Sequence, residues 1–238
     1  MGAATTGPGG SILGPYVPME GPIACPLNQG GAIDPMGFLD QSQNLDDGDG
    51  GGGNQDGGNG NGDGDEDEDG EGPGGRRYLL YKVDGNAKGG GGDCGNGVDP
   101  IRATPIMLQE VDRRDGVTVV GDAVEVLDRR GDMDGPLVEA PDLMVTEDGR
   151  YVLFYSNHCW NGPGYSVNYA VARDIRGPYQ RAGDGALIRS GDGMNITAPG
   201  GAASVSGGGW LLFHGDCPAG RCLFGAEMEV DGSRVVVW

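Results

Sequence analysis

Few residues in this 238-residue chain have the type and spacing that chemistry needs. There are two histidines, His158 and His214, and no serine or cysteine is spaced to make a nucleophilic triad with them. No P-loop, G-x-S-x-G elbow, H-E-x-x-H pair or G-x-G-x-x-G leading into a helix occurs. Cys94, Cys159, Cys217 and Cys222 lack C-x-x-C spacing, which weakens a zinc site. Carboxylates remain. Asp34 in A-I-D-P and Glu139 in V-E-A-P each open a proline-marked segment, next to Ala32-Ile33 and Leu137-Val138. Burial among such neighbours raises a carboxyl pKa, and the prolines are expected to hold the acids on extended backbone. Two acids in one cleft are the minimal equipment for hydrolysing a glycosidic bond. A plainer role fits the same residues, in which each acid accepts hydrogen bonds where a strand begins.

The elements that would position these acids are strands. Glycine and proline interrupt the chain so often that the longest stretches free of both are 12 residues, Arg150 to Asn161 and Tyr165 to Arg176. Both alternate in strand fashion, with Tyr165, Val167, Tyr169 and Val171 on one face. Short β-rich runs bounded by turn residues recur: RYLLYKVD, PIMLQEV, VTVV, RYVLFYS, WLLFHGD and RVVVW. The fold class is all-β.

The runs also repeat. Tyr78-Leu79-Leu80-Tyr81, Tyr151-Val152-Leu153-Phe154 and Trp210-Leu211-Leu212-Phe213 share one pattern, aromatic–aliphatic–aliphatic–aromatic, each after a segment marked by Pro35, Pro141 or Pro199. A second marker, Gly14-Pro15-Tyr16, returns as Gly177-Pro178-Tyr179. Repeated hairpins without helices suggest propeller blades or a sandwich, and three copies favour the propeller. Inner strands of successive blades converge on one channel, so Asp34 and Glu139, taken as equivalent positions, are expected to approach each other.

Composition narrows the partners. Glycine accounts for 51 residues, and Asp46–Gly75 alone holds 14 of them with 11 of the 36 acidic residues. That stretch has neither the register of an EF-hand nor the apolar residue of a calcium-binding nonapeptide, and reads as a disordered insertion in a hairpin turn, between Asp40 and Arg76. A net charge of −20 argues against nucleic acid and anionic membrane surfaces. No run reaches the ~18 apolar residues of a membrane helix. The opening MGAATTGPGG has neither the basic nor the apolar part of an export signal.

Taken together, GPYVPMEGPIACPLNQGGAIDPMGF, YLLYKVDGN, TPIMLQEV, GPLVEAPDLM, YVLFYSN, NYAVARDIRGPY, ITAPGGA and FHGD resemble fungal glycoside hydrolase family 43. The resemblance covers residues 1–238 except Asp46–Gly75. It implies a five-bladed β-propeller, of which about three blades are present, and hydrolysis with inversion of arabinose- or xylose-containing plant polysaccharide. It places the general acid on Glu139, in E-x-P, and a residue that orients this acid and tunes its pKa on Asp34, in I-D-P. It points to His214 in H-G as a ligand of a calcium or sodium ion in the channel; no other cofactor is expected. The family's general base lies in an Asp-Pro motif of the first blade. No counterpart occurs here, because Glu20 and Asp40 fall in other segments, so the resemblance implies an N-terminally truncated and inactive chain. Trp160 and Tyr165 are candidate substrate-stacking residues, with simple packing an equal alternative for Trp160.

Cys217 and Cys222 flank PAGR and could close a small loop, Cys94 and Cys159 could pair between repeats, and Cys25 is left over. With the sequon Asn195-Ile196-Thr197, this fits a parent protein that is extracellular. The competing reading is a non-catalytic carbohydrate-binding or degenerate propeller fragment.

Overall fold

In the computed structural model, residues 1–5, 11, 13–41, 75–183, 185–192, 195–205 and 208–238 are described. Among them the sequence repeats become three antiparallel four-stranded sheets. The first comprises β3 (Ala32–Asp40), β4 (Arg76–Val83), β5 (Ile106–Val111) and β6 (Val119–Leu127), in that spatial order. The second comprises β7 (Val138–Val145), β8 (Tyr151–Asn157), β9 (Ser166–Ala172) and β10 (Gln180–Arg181). The third comprises β11 (Thr197–Ser204), β12 (Gly209–Cys217), β13 (Gly220–Asp231) and β14 (Arg234–Val237). A separate pair joins β1 (Ala4–Thr5) to β2 (Val17–Pro18). No α-helix occurs among the described residues. The acidic stretch read as an insertion lies outside them except for Gly75, while its flanks pair as Asp40 with Arg76.

The three aromatic–aliphatic–aliphatic–aromatic runs are the second strands β4, β8 and β12. Alternate side chains of a strand point to opposite faces, so each sheet can serve two neighbours. One apolar cluster joins Leu80, Ile106 and Leu108 of the first sheet to Leu143, Leu153 and Tyr155 of the second. Another joins Val152, Phe154 and Val167 of the second to Leu211, Phe213 and Met228 of the third. Each such side chain, fully buried, contributes about 1.5–3 kcal/mol. β8 is covered on both faces, and all seven of its residues are buried. Among the described residues β12 has a neighbouring sheet on one face only, so Leu211 and Phe213 are buried while Trp210 and Leu212 remain 48% and 38% exposed. Three sheets stacked face to face, with β3, β7 and β11 side by side, form an arc of a β-propeller.

The proline-marked segments are the inner strands, and they share a backbone feature that departs from expectation. The residues before Pro35, Pro141 and Pro199 are not extended. Asp34, Ala140 and Ala198 all have left-handed φ, at 53°, 50° and 51°. In each strand the pairing register slips at that point, between Ile33 and Met36, Glu139 and Asp142, and Thr197 and Gly200. A proline excludes the right-handed helical region for its predecessor, and the bulge takes the left-handed alternative. The equivalent of Asp34 is therefore Ala140, and Glu139 stands one residue earlier. The glycines of the second marker also match, with φ of 84° at Gly14 and 89° at Gly177.

Two disulfides join Cys94 to Cys159 and Cys217 to Cys222, and Cys25 is free and exposed. The first ties a loop of the first sheet to the β8–β9 loop of the second. Closing a loop of this length stabilises by about 4 kcal/mol in the chain-entropy account.

Candidate active site

The bulges set the acids' directions. Asp34, on β3, turns its Oδ2 to the backbone N–H of Ala140 on β7, 3.0 Å away. This bond crosses from one sheet to the next and holds the segment that carries Glu139. A left-handed residue other than glycine costs of order 1–3 kcal/mol, and such strain persists where surrounding bonds over-determine it.

Glu139 is held at both oxygens. Its Oε2 lies 3.2 Å from Lys82 Nζ, on β4, and its Oε1 accepts the Tyr165 hydroxyl at 2.8 Å. The Glu139 side chain is 13% exposed and that of Lys82 only 1%. Lys82 has a second carboxylate, Asp84, also at 3.2 Å. A buried ammonium needs such partners, since an unpaired charge in the interior is heavily penalised. Neither Lys82 nor Asp84 was singled out from the sequence. The available signal was a lysine in an otherwise apolar strand run, Y-L-L-Y-K-V-D.

Tyr165 is buried, at 2% exposure, rather than offering a ring to a sugar. Burial, and then the charge of Glu139, pushes its hydroxyl pKa well above the usual tyrosine range, so it stays protonated and donates. Its ring stacks on His214 at 6.2 Å between centroids and lies under the Arg221 guanidinium. The ITAPGGA motif explains why it fits. A Cβ on Gly200 would come within 1.9 Å of the Tyr165 ring, and one on Gly201 within 2.3 Å of His214 Nε2. Trp160, in contrast, is 54% exposed on the β8–β9 loop, where its carbonyl accepts from Arg221 at 3.4 Å.

His214 presents Nδ1 to Arg221, whose Nε is 3.1 Å away. Burial, and then this guanidinium, lowers the imidazole pKa, which favours the neutral ring. A cation near His214 would find one nitrogen free and an arginine at the other. Among the described residues no group of three or more His, Cys, Asp or Glu side chains could hold a metal ion. This donor set does not fit a cation held by protein side chains, and no step below is routed through one.

Asp40 is far from this cluster along β3 and is fully buried, accepting the Tyr151 hydroxyl at 2.8 Å. The structure thus brings together Asp34, Lys82, Asp84, Glu139, Tyr165 and His214, and leaves Trp160 at the rim.

Fold and cluster define an all-β partial propeller with a carboxylate centre where neighbouring inner strands meet. No family model matches the sequence, and no curated protein matches it. Solved structures do. A thermostable family-43 glycoside hydrolase superposes with a TM-score of 0.66 and 22% identity, over 95% of this chain and 63% of its own. An endo-1,4-β-xylanase from Bacteroides thetaiotaomicron gives 0.61 and 18%, over 94% and 63%. An α-L-arabinofuranosidase from Lactobacillus brevis gives 0.57 and 14%, over 91% and 57%. The chain therefore spans less than two thirds of the length of these structures. At such identities the likeness establishes the fold.

Proposed function

We propose that this chain carries the acid side of a glycoside hydrolase centre acting on arabinose- or xylose-containing plant polysaccharide with inversion. The observation that carries the reading is Glu139, nearly buried and gripped by Lys82 and Tyr165, beside an acid from the adjoining sheet. To protonate the leaving oxygen Glu139 must first take up a proton, leaving the Lys82 ammonium to Asp84, while Asp34 positions it through Ala140. Inversion needs a second carboxylate roughly 6.5–9.5 Å from the acid, with water between. Asp84 is bound to the Lys82 ammonium that also holds Glu139, so it is engaged in the same ion-pair cluster as the acid and is not assigned as the base. The base is accordingly assigned outside the described residues. Two disulfides support an extracellular setting.

The test supplies a nucleophile that needs no base. Azide attacks without a base, so added azide should accelerate release of nitrophenol from 4-nitrophenyl α-L-arabinofuranoside or β-D-xyloside, forming a glycosyl azide of inverted configuration. Glu139→Gln should impair alkyl glycosides ~10²–10⁴-fold, and aryl glycosides far less, because an aryl leaving group needs little protonation. Retention of configuration, or no azide-dependent release, would sink the proposal. In the second reading, a non-catalytic sugar-binding arc, Trp160 at the rim binds saccharide while no glycoside is cleaved under either condition.

A further inference from the structure

A cavity of about 600 Å³ lies apart from the acid cluster and includes none of Asp34, Lys82, Glu139 or His214. Its wall contains Asn157, Ser166 and Asn168 from β8 and β9, with Arg130 and Asp134 from the loop before β7 and Arg181 from β10. Asn157 pairs with Val138 and with Ser166, so the cavity opens at the same end of the second sheet as Glu139, one strand further from the channel.

Its polar groups form a framework with open valences. Asp134, 1% exposed, accepts from Arg181 at 2.9 Å, from the Arg130 backbone N–H at 2.7 Å and from Asn157 at 3.2 Å. Ser166 donates to Asn157 at 2.7 Å, and Asn168 donates to Ser166. These bonds fix the side chains before any ligand arrives. Among the described residues the Arg130 side chain, in contrast, donates to the Met133 sulfur and has no carboxylate partner. The amide oxygen of Asn168 has no protein donor among the described residues either. Three guanidinium groups, those of Arg130, Arg181 and Arg189, thus accompany one buried carboxylate in the described wall, with Arg181 paired to that carboxylate and Arg189 to Asp192 beyond the wall; the excess is positive in a chain whose net charge is −20. The aromatic rings of Tyr155, Tyr169 and His158 complete the wall.

A fixed cation, aligned amides and aromatic rings suit a saccharide with a carboxylate. We infer that this cavity binds the uronate unit of an acidic oligosaccharide, its carboxylate on Arg130 and a hydroxyl donating to the Asn168 oxygen. Charge-assisted pairing with a guanidinium supplies specificity as well as energy. The identity of the ligand as a saccharide rests on the glycosidase proposal, and places an acidic side unit outward of the bond to be cleaved.

Isothermal titration of the 238-residue chain tests this without requiring turnover. The probes are a glucuronate-linked xylose disaccharide, xylobiose, and sodium acetate or sulfate. The uronate disaccharide should bind at least tenfold more tightly than xylobiose. Arg130→Gln, at an exposed position, should remove that preference while leaving thermal unfolding unchanged, and Asn168→Ala should weaken binding several-fold. Glu139→Gln should leave it intact. Equal affinity for xylobiose, indifference to Arg130→Gln, or displacement by acetate or sulfate at equal concentration would each overturn the inference. A chain that binds the uronate but cleaves nothing with azide keeps this site and loses the hydrolase proposal; the opposite result does the reverse.

Discussion

Asp34 and Ala140 are bonded side chain to backbone across two sheets, at 3.0 Å, although 106 residues separate them in sequence. They are also structural equivalents, each left-handed and each before a proline. The acid of the first inner strand thus fixes the backbone immediately after the acid of the second.

Replacing Asp34 tests that link. Asp34→Ala leaves the Ala140 N–H without its acceptor, which should cost about 1–3 kcal/mol. For a chain of this size, each kcal/mol lowers Tm by ~2–4 °C. Asp34→Asn retains an acceptor oxygen and should unfold nearer to wild type, while losing azide-dependent activity through the missing charge. Equal Tm losses for the two variants would show that the bond does not set the stability.

Lys82 and Glu139 should be strongly coupled. Removing one member of a buried ion pair typically destabilises by about 3–5 kcal/mol, because the survivor remains charged and unpaired. Lys82→Met strands both Glu139 and Asp84, so it should be the most harmful single change in the cluster. Adding Glu139→Gln should recover part of the loss. Denaturant titration of both single variants and the double variant measures this, and simple additivity would contradict a shared network.

Gly200→Ala should act through Tyr165. The new methyl falls 1.9 Å from a ring that β7 and His214 confine. Overpacking of this kind costs about 1–3 kcal/mol. The displaced ring should also release Glu139, lowering activity together with stability. Tyr165→Phe keeps the ring and deletes only the hydroxyl, so it should melt higher than Gly200→Ala while losing comparable activity.

The stability of the third sheet should depend on pH through His214. Its folded pKa is lowered, so the unfolded chain takes up a proton first as pH falls. The stabilising contribution is fully present above the unfolded value of ~6.5 and declines as pH drops below it. Melting curves between pH 8 and pH 5 should show this decline, and His214→Gln should flatten it. A Tm that rises on acidification in the wild type but not in the variant would reverse the sign.

Much of the architecture is local and was legible from residue order alone. Strand alternation, turn residues and the three repeated runs specify β4, β8 and β12, because the two-residue period of a strand needs no knowledge of its neighbours. Cysteine positions likewise anticipated both disulfides and the free Cys25. What the chain order could not reveal was which faces meet. The buried Lys82, its pairing with Glu139 across 57 residues, and the withdrawal of Tyr165 from the surface all follow from one sheet lying against another. So does the contrast between β8, buried throughout, and β12, which leaves Trp210 exposed. The prolines alone align Asp34 with Ala140 rather than Glu139, but the left-handed bulge at both is announced by no periodicity. Periodicity assigns a side chain to a face of its own strand, and only the stacking of sheets decides whether that face meets water, apolar carbon or a charge.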